Sequence, residues 1–209
     1  MIERSDITAL ILAGGAGSRM GGVDKGWVDY EELPLVVHAL NIVCGRCGAT
    51  LVSANRNVER YAALGVTVVR DLTTDYQGPI AGILAGAVAC STPWMWIMPV
   101  DCPKAPPLVL DRLLASANRT GAGVAVAHDG LRDQPLFMLL NQSAQARLLN
   151  YYLSGNRSIR DWLRSQVYVR TNCRDIKAGF LNVNEIQHIP PRAAPSENYR
   201  LGGRFGSTA

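Results

Sequence analysis

A continuous uncharged run, Ile7–Ala13, apolar at every position but Thr8, ends abruptly in Gly14 and Gly15. Nothing else in the chain constrains the fold as strongly. A short run with no polar alternation fits a strand buried on both faces, as in a parallel sheet. The same pattern recurs. Short strands are predicted at Thr50–Ala54, Val66–Arg70, Trp94–Val100, Gly123–Ala127, Leu136–Leu140, Val167–Arg170 and Phe180–Val183, with a further short one at Trp27–Tyr30. Helices are predicted at Leu35–Cys44 (opened by Pro34), Val58–Leu64, Ile80–Ala89, Pro107–Ala117, Ala144–Leu153 and Ile159–Leu163. Strands that alternate with helices of this length predict β-α-β units, and hence a three-layer α/β domain with a mostly parallel sheet.

Composition agrees with one such domain. The chain has 209 residues, 48% of them apolar and 18% charged, with a net charge of +4. That excludes a wholly disordered chain and lacks the dense basic stripe of a dedicated nucleic-acid binder. Residues 1–189 are expected to form the domain. From Pro190 the apolar pattern stops, and residues 190–209 are predicted to be a disordered tail. Three arginines against Glu197 give that tail +2, which leaves +2 for the rest. Tyr76 to Val100 carries no charge and contains Gly82-x-x-x-Gly86, which imitates a membrane-helix packing motif. Pro79, Pro93 and Pro99 divide it, so a buried helix and a buried strand fit better than a span of roughly 20 residues. No signal peptide is evident, and five sparse cysteines do not make a disulfide framework. The expected location is the cytoplasm.

Chemistry concentrates after the first strand. Leu12-Ala13-Gly14-Gly15-Ala16-Gly17-Ser18-Arg19-Met20-Gly21-Gly22-Val23-Asp24-Lys25 places five glycines around two cations. Glycine permits close backbone approach to a ligand. Successive N–H groups can cradle phosphate oxygens, and Arg19 and Lys25 suit a polyphosphate. The run is not a P-loop, because Gly26 follows Lys25. It is not a dinucleotide fingerprint, because Met20 stands where the last glycine belongs.

The run resembles the signature of the molybdenum cofactor guanylyltransferases, L-A-G-G-x-x-x-R-M-G-G-x-D-K, at every fixed position. The resemblance continues through Ala54-Asn55-Arg56, Arg70-Asp71, Gly78-Pro79-Ile80-Ala81-Gly82, Pro99-Val100-Asp101-Cys102-Pro103 and Asn182-Val183-Asn184. It spans about Ile7 to Ile186. It implies a Rossmann-like nucleotidyltransferase fold, Mg²⁺, and transfer of GMP from GTP to molybdopterin. It also implies a monomer, with cofactor-synthesis enzymes and molybdoenzyme chaperones as further partners and no nucleic acid or membrane.

The implied site follows residue by residue. Asp101, at the carboxyl end of a buried strand, is the metal ligand and, with Lys25 and Arg19, the catalytic set. Leu12, Ala13, Gly14, Gly15, Lys25, Ser53, Asn55, Asp71 and Asp101 are assigned to the nucleotide. Gly14 favours guanine, since the related cytidylyl-transferring enzymes more often carry alanine there. Ser53 departs from the family's usual Asn-Ala-Asn. Gly78, Gly82, Arg132, Asp133, Asn182 and Asn184 are assigned to the pterin. On a strand, Asn182 and Asn184 would share a face; a turn-stabilising pair is the plainer alternative. Arg157 and Arg160 fit a phosphate or a solvated helix start equally well.

Other features are set aside. Cys44-x-x-Cys47 has no second Cys or His pair at suitable spacing. His38, His128 and His188 are far apart in sequence. Trp94, Met95, Trp96 and Met98 suit strand packing. A molybdopterin cytidylyltransferase, a sugar-phosphate nucleotidyltransferase and a non-catalytic nucleotide-binding regulator remain the alternatives.

Overall fold

The computed structural model describes residues 1–14, 24–71 and 78–183. Their centre is a seven-stranded sheet. Four strands run parallel: β1 (Ile7–Leu12), β4 (Ala49–Ser53), β5 (Thr67–Val69) and β6 (Trp94–Pro99). A hairpin of β7 (Val124–His128) and β8 (Asp133–Asn141) follows, and β9 (Val169–Asn172) closes the edge. The order is β5-β4-β1-β6-β8-β7-β9, with β8 antiparallel to β6 and β7. A register shift between Val126 and Ala127 bends the hairpin. A small separate hairpin pairs β2 (Asp29–Tyr30) with β3 (Leu33–Pro34).

Every residue of β1 is buried, which is why its sequence shows no alternation. Its side chains still part by the strand's period of two. Ile7, Ala9 and Ile11 face one core, with α1 (Leu35–Val43), α2 (Val58–Ala62) and α4 (Leu108–Thr120). Leu10 and Leu12 face the other, with α3 (Pro79–Ala89), α5 (Gln142–Leu153) and α6 (Ile159–Arg164). The result is the expected three layers. Deep side chains such as Trp96 and Trp162 are fully buried; truncating either to alanine costs about 3–5 kcal/mol.

Close approach of α3 to the sheet depends on two residues without side chains. A Cβ on Gly82 would lie 2.5 Å from Ser53 Oγ, and one on Gly86 would collide with Leu10. The Gly82-x-x-x-Gly86 spacing therefore packs a helix on a sheet. Among the described residues, no helix is long and apolar enough to cross a membrane.

Two expectations fail. Phe180–Val183 is not a strand: Phe180 ends a 3-10 segment, Arg174–Phe180, and Val183 donates its N–H to Asp101 O at 2.9 Å. The run is apolar because Phe180 packs edge-on against Phe137, not because it joins the sheet. Asn182 thus lies off any strand, and Asn184 lies outside the described residues. Trp27–Tyr30 divides into a 3-10 turn, Lys25–Trp27, and β2. The proposed tail, 190–209, also lies outside the described residues.

Candidate active site

The carboxyl ends of β1, β4, β5 and β6 meet at one edge. The chain winds outward from β1 through β4 to β5, then crosses back to β6 on the other side of β1. Open α/β sheets bind ligands at such a reversal. Here the backbone ladder extends past the strands: Val100 N–H donates to Leu12 O at 3.0 Å, and Ala54 N–H to Val69 O at 3.0 Å. Ala13 and Gly14 both donate to Ser53 O, at 2.9 and 2.8 Å. Leu12, Ala13, Gly14 and Ser53 are thereby held together, with the Ser53 side chain buried under α3.

Two polar pairs stand on this edge. Asn55 and Asp71 bond twice: Asn55 Nδ2 donates to Asp71 Oδ2 at 2.8 Å, and Asp71 N–H donates to Asn55 Oδ1 at 2.9 Å. The second pair is Lys25 and Asp101, with Nζ 2.6 Å from Oδ2 and both side chains partly exposed. Seventy-six residues separate them in sequence, and the fold places them in direct contact. Arg19 and Gly15 lie outside the described residues.

The rest of the Asp101 loop is fixed by the C-terminal segment. Cys102 Sγ donates to Phe180 O at 3.5 Å, next to the Val183–Asp101 bond. Gly179 packs directly on Pro106 and on the Lys104 carbonyl, where a Cβ would not fit. Arg112 forks onto Asp175, holding that carboxyl down at about 2.

The residues assigned to a second ligand are more scattered. Gly78 caps α3 with φ +74°, so the helix N-terminus, with its partial positive charge, opens on the same edge. Gly82 is inside that helix, spent on packing. Asp133 accepts from Tyr168 Oη at 2.6 Å and from Arg170. Arg132 belongs to the β7–β8 turn, which Asp129 organises. Asp129 Oδ1 accepts from the N–H groups of Leu131 and Arg132, and Oδ2 from Gln134 Nε2. Burial pushes the Asp129 carboxyl up, but these donors and the Arg132 charge outweigh it and leave it below its usual value. Arg157 stacks on Tyr152 and donates to the backbone carbonyls of Tyr152, at the end of α5, and of Asn156.

The sequence did not single out Asp24, Asn57 or Tyr61. Asp24 Oδ1 accepts from Tyr61 Oη at 2.6 Å and from Gly26 N–H at 3.2 Å; Oδ2 accepts from Asn57 Nδ2 at 2.9 Å. Burial and the Asp24 charge push the Tyr61 hydroxyl well above its usual pKa, so it stays a donor. An Asp beside a Lys was visible in the sequence, but its partner 37 residues away was not. The Cys44-x-x-Cys47 pair is free thiol, and burial pushes Cys47 up to about 12. Cys47 therefore stays a thiol at neutral pH.

For a metal, the described residues offer no cluster of three or more His, Cys, Asp or Glu. Asp101 presents a carboxylate at the edge beside Lys25, and Asp71 presents another, bonded to Asn55. That donor set suits a hard cation sharing one or two carboxylates with phosphate oxygens and water, and does not suit an all-protein cage.

A reversal point carrying a lysine–aspartate pair suits a nucleotide polyphosphate and its metal, and the matching family model and relatives show the class to be nucleotidyltransferase. Comparison with known proteins narrows it. The model of the MobA-like NTP transferase domain matches residues 9–171. A molybdenum cofactor guanylyltransferase of Bordetella petrii is 40% identical over 196 residues, covering 91% of this chain and all of that protein. The crystal structure of molybdopterin-guanine dinucleotide biosynthesis protein A from Archaeoglobus fulgidus is 22% identical. It covers 85% of this chain and 92% of its own, with a TM-score of 0.69. A Mycobacterium tuberculosis protein solved in complex with manganese shares the fold at 13% identity, covering 80% and 88%, with a TM-score of 0.59. The chain belongs to the molybdenum cofactor guanylyltransferase family.

Proposed function

We propose that this chain transfers GMP from Mg²⁺-bound GTP to the terminal phosphate of molybdopterin carrying molybdenum, giving molybdopterin guanine dinucleotide and pyrophosphate. The Lys25–Asp101 pair at the reversal point carries this reading, together with the family.

The acceptor needs little activation. A phosphomonoester has its second pKa near ~6, so at neutral pH it is largely dianionic and needs no protein base. One of its oxygens bonds to the α-phosphorus of GTP as the bond to the β-phosphate bridge breaks, and pyrophosphate leaves with that electron pair. Bringing anions together is the difficulty, and positioning and electrostatics answer it. Lys25 supplies a cation to the phosphates, with Arg19 as a second. Asp101 holds Mg²⁺, which when bound neutralises phosphate charge. Leu12 to Gly15, Ser53, Asn55 and Asp71 take the nucleoside; the Asp71 carboxylate offers an acceptor to guanine N–H or ribose hydroxyl donors. Gly78 and the α3 N-terminus, Arg132, Asn182 and Asn184 are assigned to the acceptor, and a cytoplasmic monomer is part of the same reading.

The test is incubation with Mg²⁺, molybdopterin and labelled GTP or CTP in turn. Preferential guanylyl transfer with pyrophosphate release is expected. Preferential cytidylyl transfer would replace guanine as the substrate base, and nucleotide binding without transfer would make the chain a regulator.

A further inference from the structure

We propose that Tyr61 and Asn57 are positioning residues that act through the Asp24 carboxylate to fix where Lys25 presents its ammonium group. This rests on the reading that Lys25 serves phosphates.

A lysine has a long stem and loses rotamer freedom when ordered. An ammonium that must meet a phosphate gains from a backbone held in advance. Lys25 sits in a 3-10 turn of three residues, too short to hold itself. It is anchored on both sides. Before it, Asp24 takes three donors, two of them side chains of one short helical segment. After it, Trp27 packs its ring on Tyr61 with centroids 5.0 Å apart, and Arg60 lies 3.8 Å over the same indole. Tyr61 thus grips the turn with both its hydroxyl and its ring, and it is fully buried. Asn57 reaches Asp24 from a left-handed backbone conformation, φ 48°, uncommon outside glycine. Gly26 gives an independent sign of the same device: any side chain there would occupy the space of the Tyr61 hydroxyl. Within this frame Lys25 Nζ reaches Asp101 Oδ2 at 2.6 Å. The hydrogen bonds of Tyr61 and Asn57 go to Asp24 and not to that pair; their effect passes through Asp24.

A double-mutant cycle on the full chain tests this. Tyr61→Phe keeps the ring and removes the hydroxyl, and Asn57→Ala removes the second donor. Each is made with Lys25 present and in a Lys25→Ala background. Two quantities are measured: affinity for inorganic pyrophosphate, and kcat for guanylyl transfer. With Lys25 present, Tyr61→Phe should lower both about tenfold, the size expected for a lost hydrogen bond to a charged group. In the Lys25→Ala background the same change should cost less than twofold. Equal losses in both backgrounds would mean that Tyr61 merely supports the fold, and no loss in either would mean that Lys25 needs no anchor; each result overturns the proposal. If Tyr61→Phe fails to fold, Asn57→Ala carries the same comparison. Pyrophosphate affinity is read without turnover, so a chain that transfers no nucleotide would refute the proposed reaction and leave this test decisive.

Discussion

The two halves of the sheet's carboxyl edge treat their charged groups differently. In the β1-β4-β5-β6 half, Lys25 meets Asp101 and Asn55 meets Asp71 in small pairs at the surface. In the proposed reaction each pair exchanges its partner for a ligand. In the β7-β8-β9 half, Asp129 is saturated by its own turn, and Asp133 is claimed by Tyr168 and Arg170. These groups hold the hairpin together. Proximity of charge to a cleft therefore does not itself mark a ligand site; what matters is whether the partners are exchangeable.

That contrast can be broken by substitution. Asp101→Asn should have the largest effect. It keeps the shape and removes the metal-holding charge, so kcat should fall by up to about a thousandfold while circular dichroism stays unchanged; losses of ~10²–10³ follow removal of one preorganised electrostatic group. Lys25→Ala should come next, about a hundredfold in kcat/KM, with a weaker dependence of GTP binding on ionic strength. Asp133→Asn should act oppositely. It should lower stability by about 1 kcal/mol, little because the group is partly exposed and screened, with transfer changed less than threefold. Thermal melts and initial rates separate the two patterns.

The smallest effect concerns pH. Asp129 has a folded-state pKa below its unfolded value of about 4. Its stabilisation of the turn is therefore complete above that value and is lost as pH falls through the lower folded value. The amide resonances of Leu131 and Arg132 should keep their positions below pH 4 and shift only on further acidification. In Asp129→Asn that transition should vanish.

The sequence made some of this legible and not the rest. Buried parallel strands announce themselves, so β1 and β6 were found almost to the residue. Insertion of β8 between β6 and β7 was not legible, because strand order depends on contacts between distant segments. Phe180–Val183 misled because an apolar run bound for a core need not be a strand. Within the site, Lys25, Asp71 and Asp101 stood out by chemistry and place. Tyr61 did not: a buried tyrosine at helical spacing looks like ordinary core, and only the fold reveals the carboxylate at its hydroxyl. Gly82 has a packing role that the sequence did not show. Glycine near a turn suggests a ligand, yet here it makes room for Ser53.

The central claim is that the exchangeable half is where nucleotide and metal are held. A crystal structure with Mg²⁺ and a non-hydrolysable GTP analogue tests it most directly. It should show the base against Leu12–Gly14, Asn55 and Asp71, the metal on Asp101, and Lys25 Nζ transferred to a phosphate oxygen. A nucleotide seated against the β7–β9 half, with the 2.6 Å Lys25–Asp101 pair intact, would contradict it.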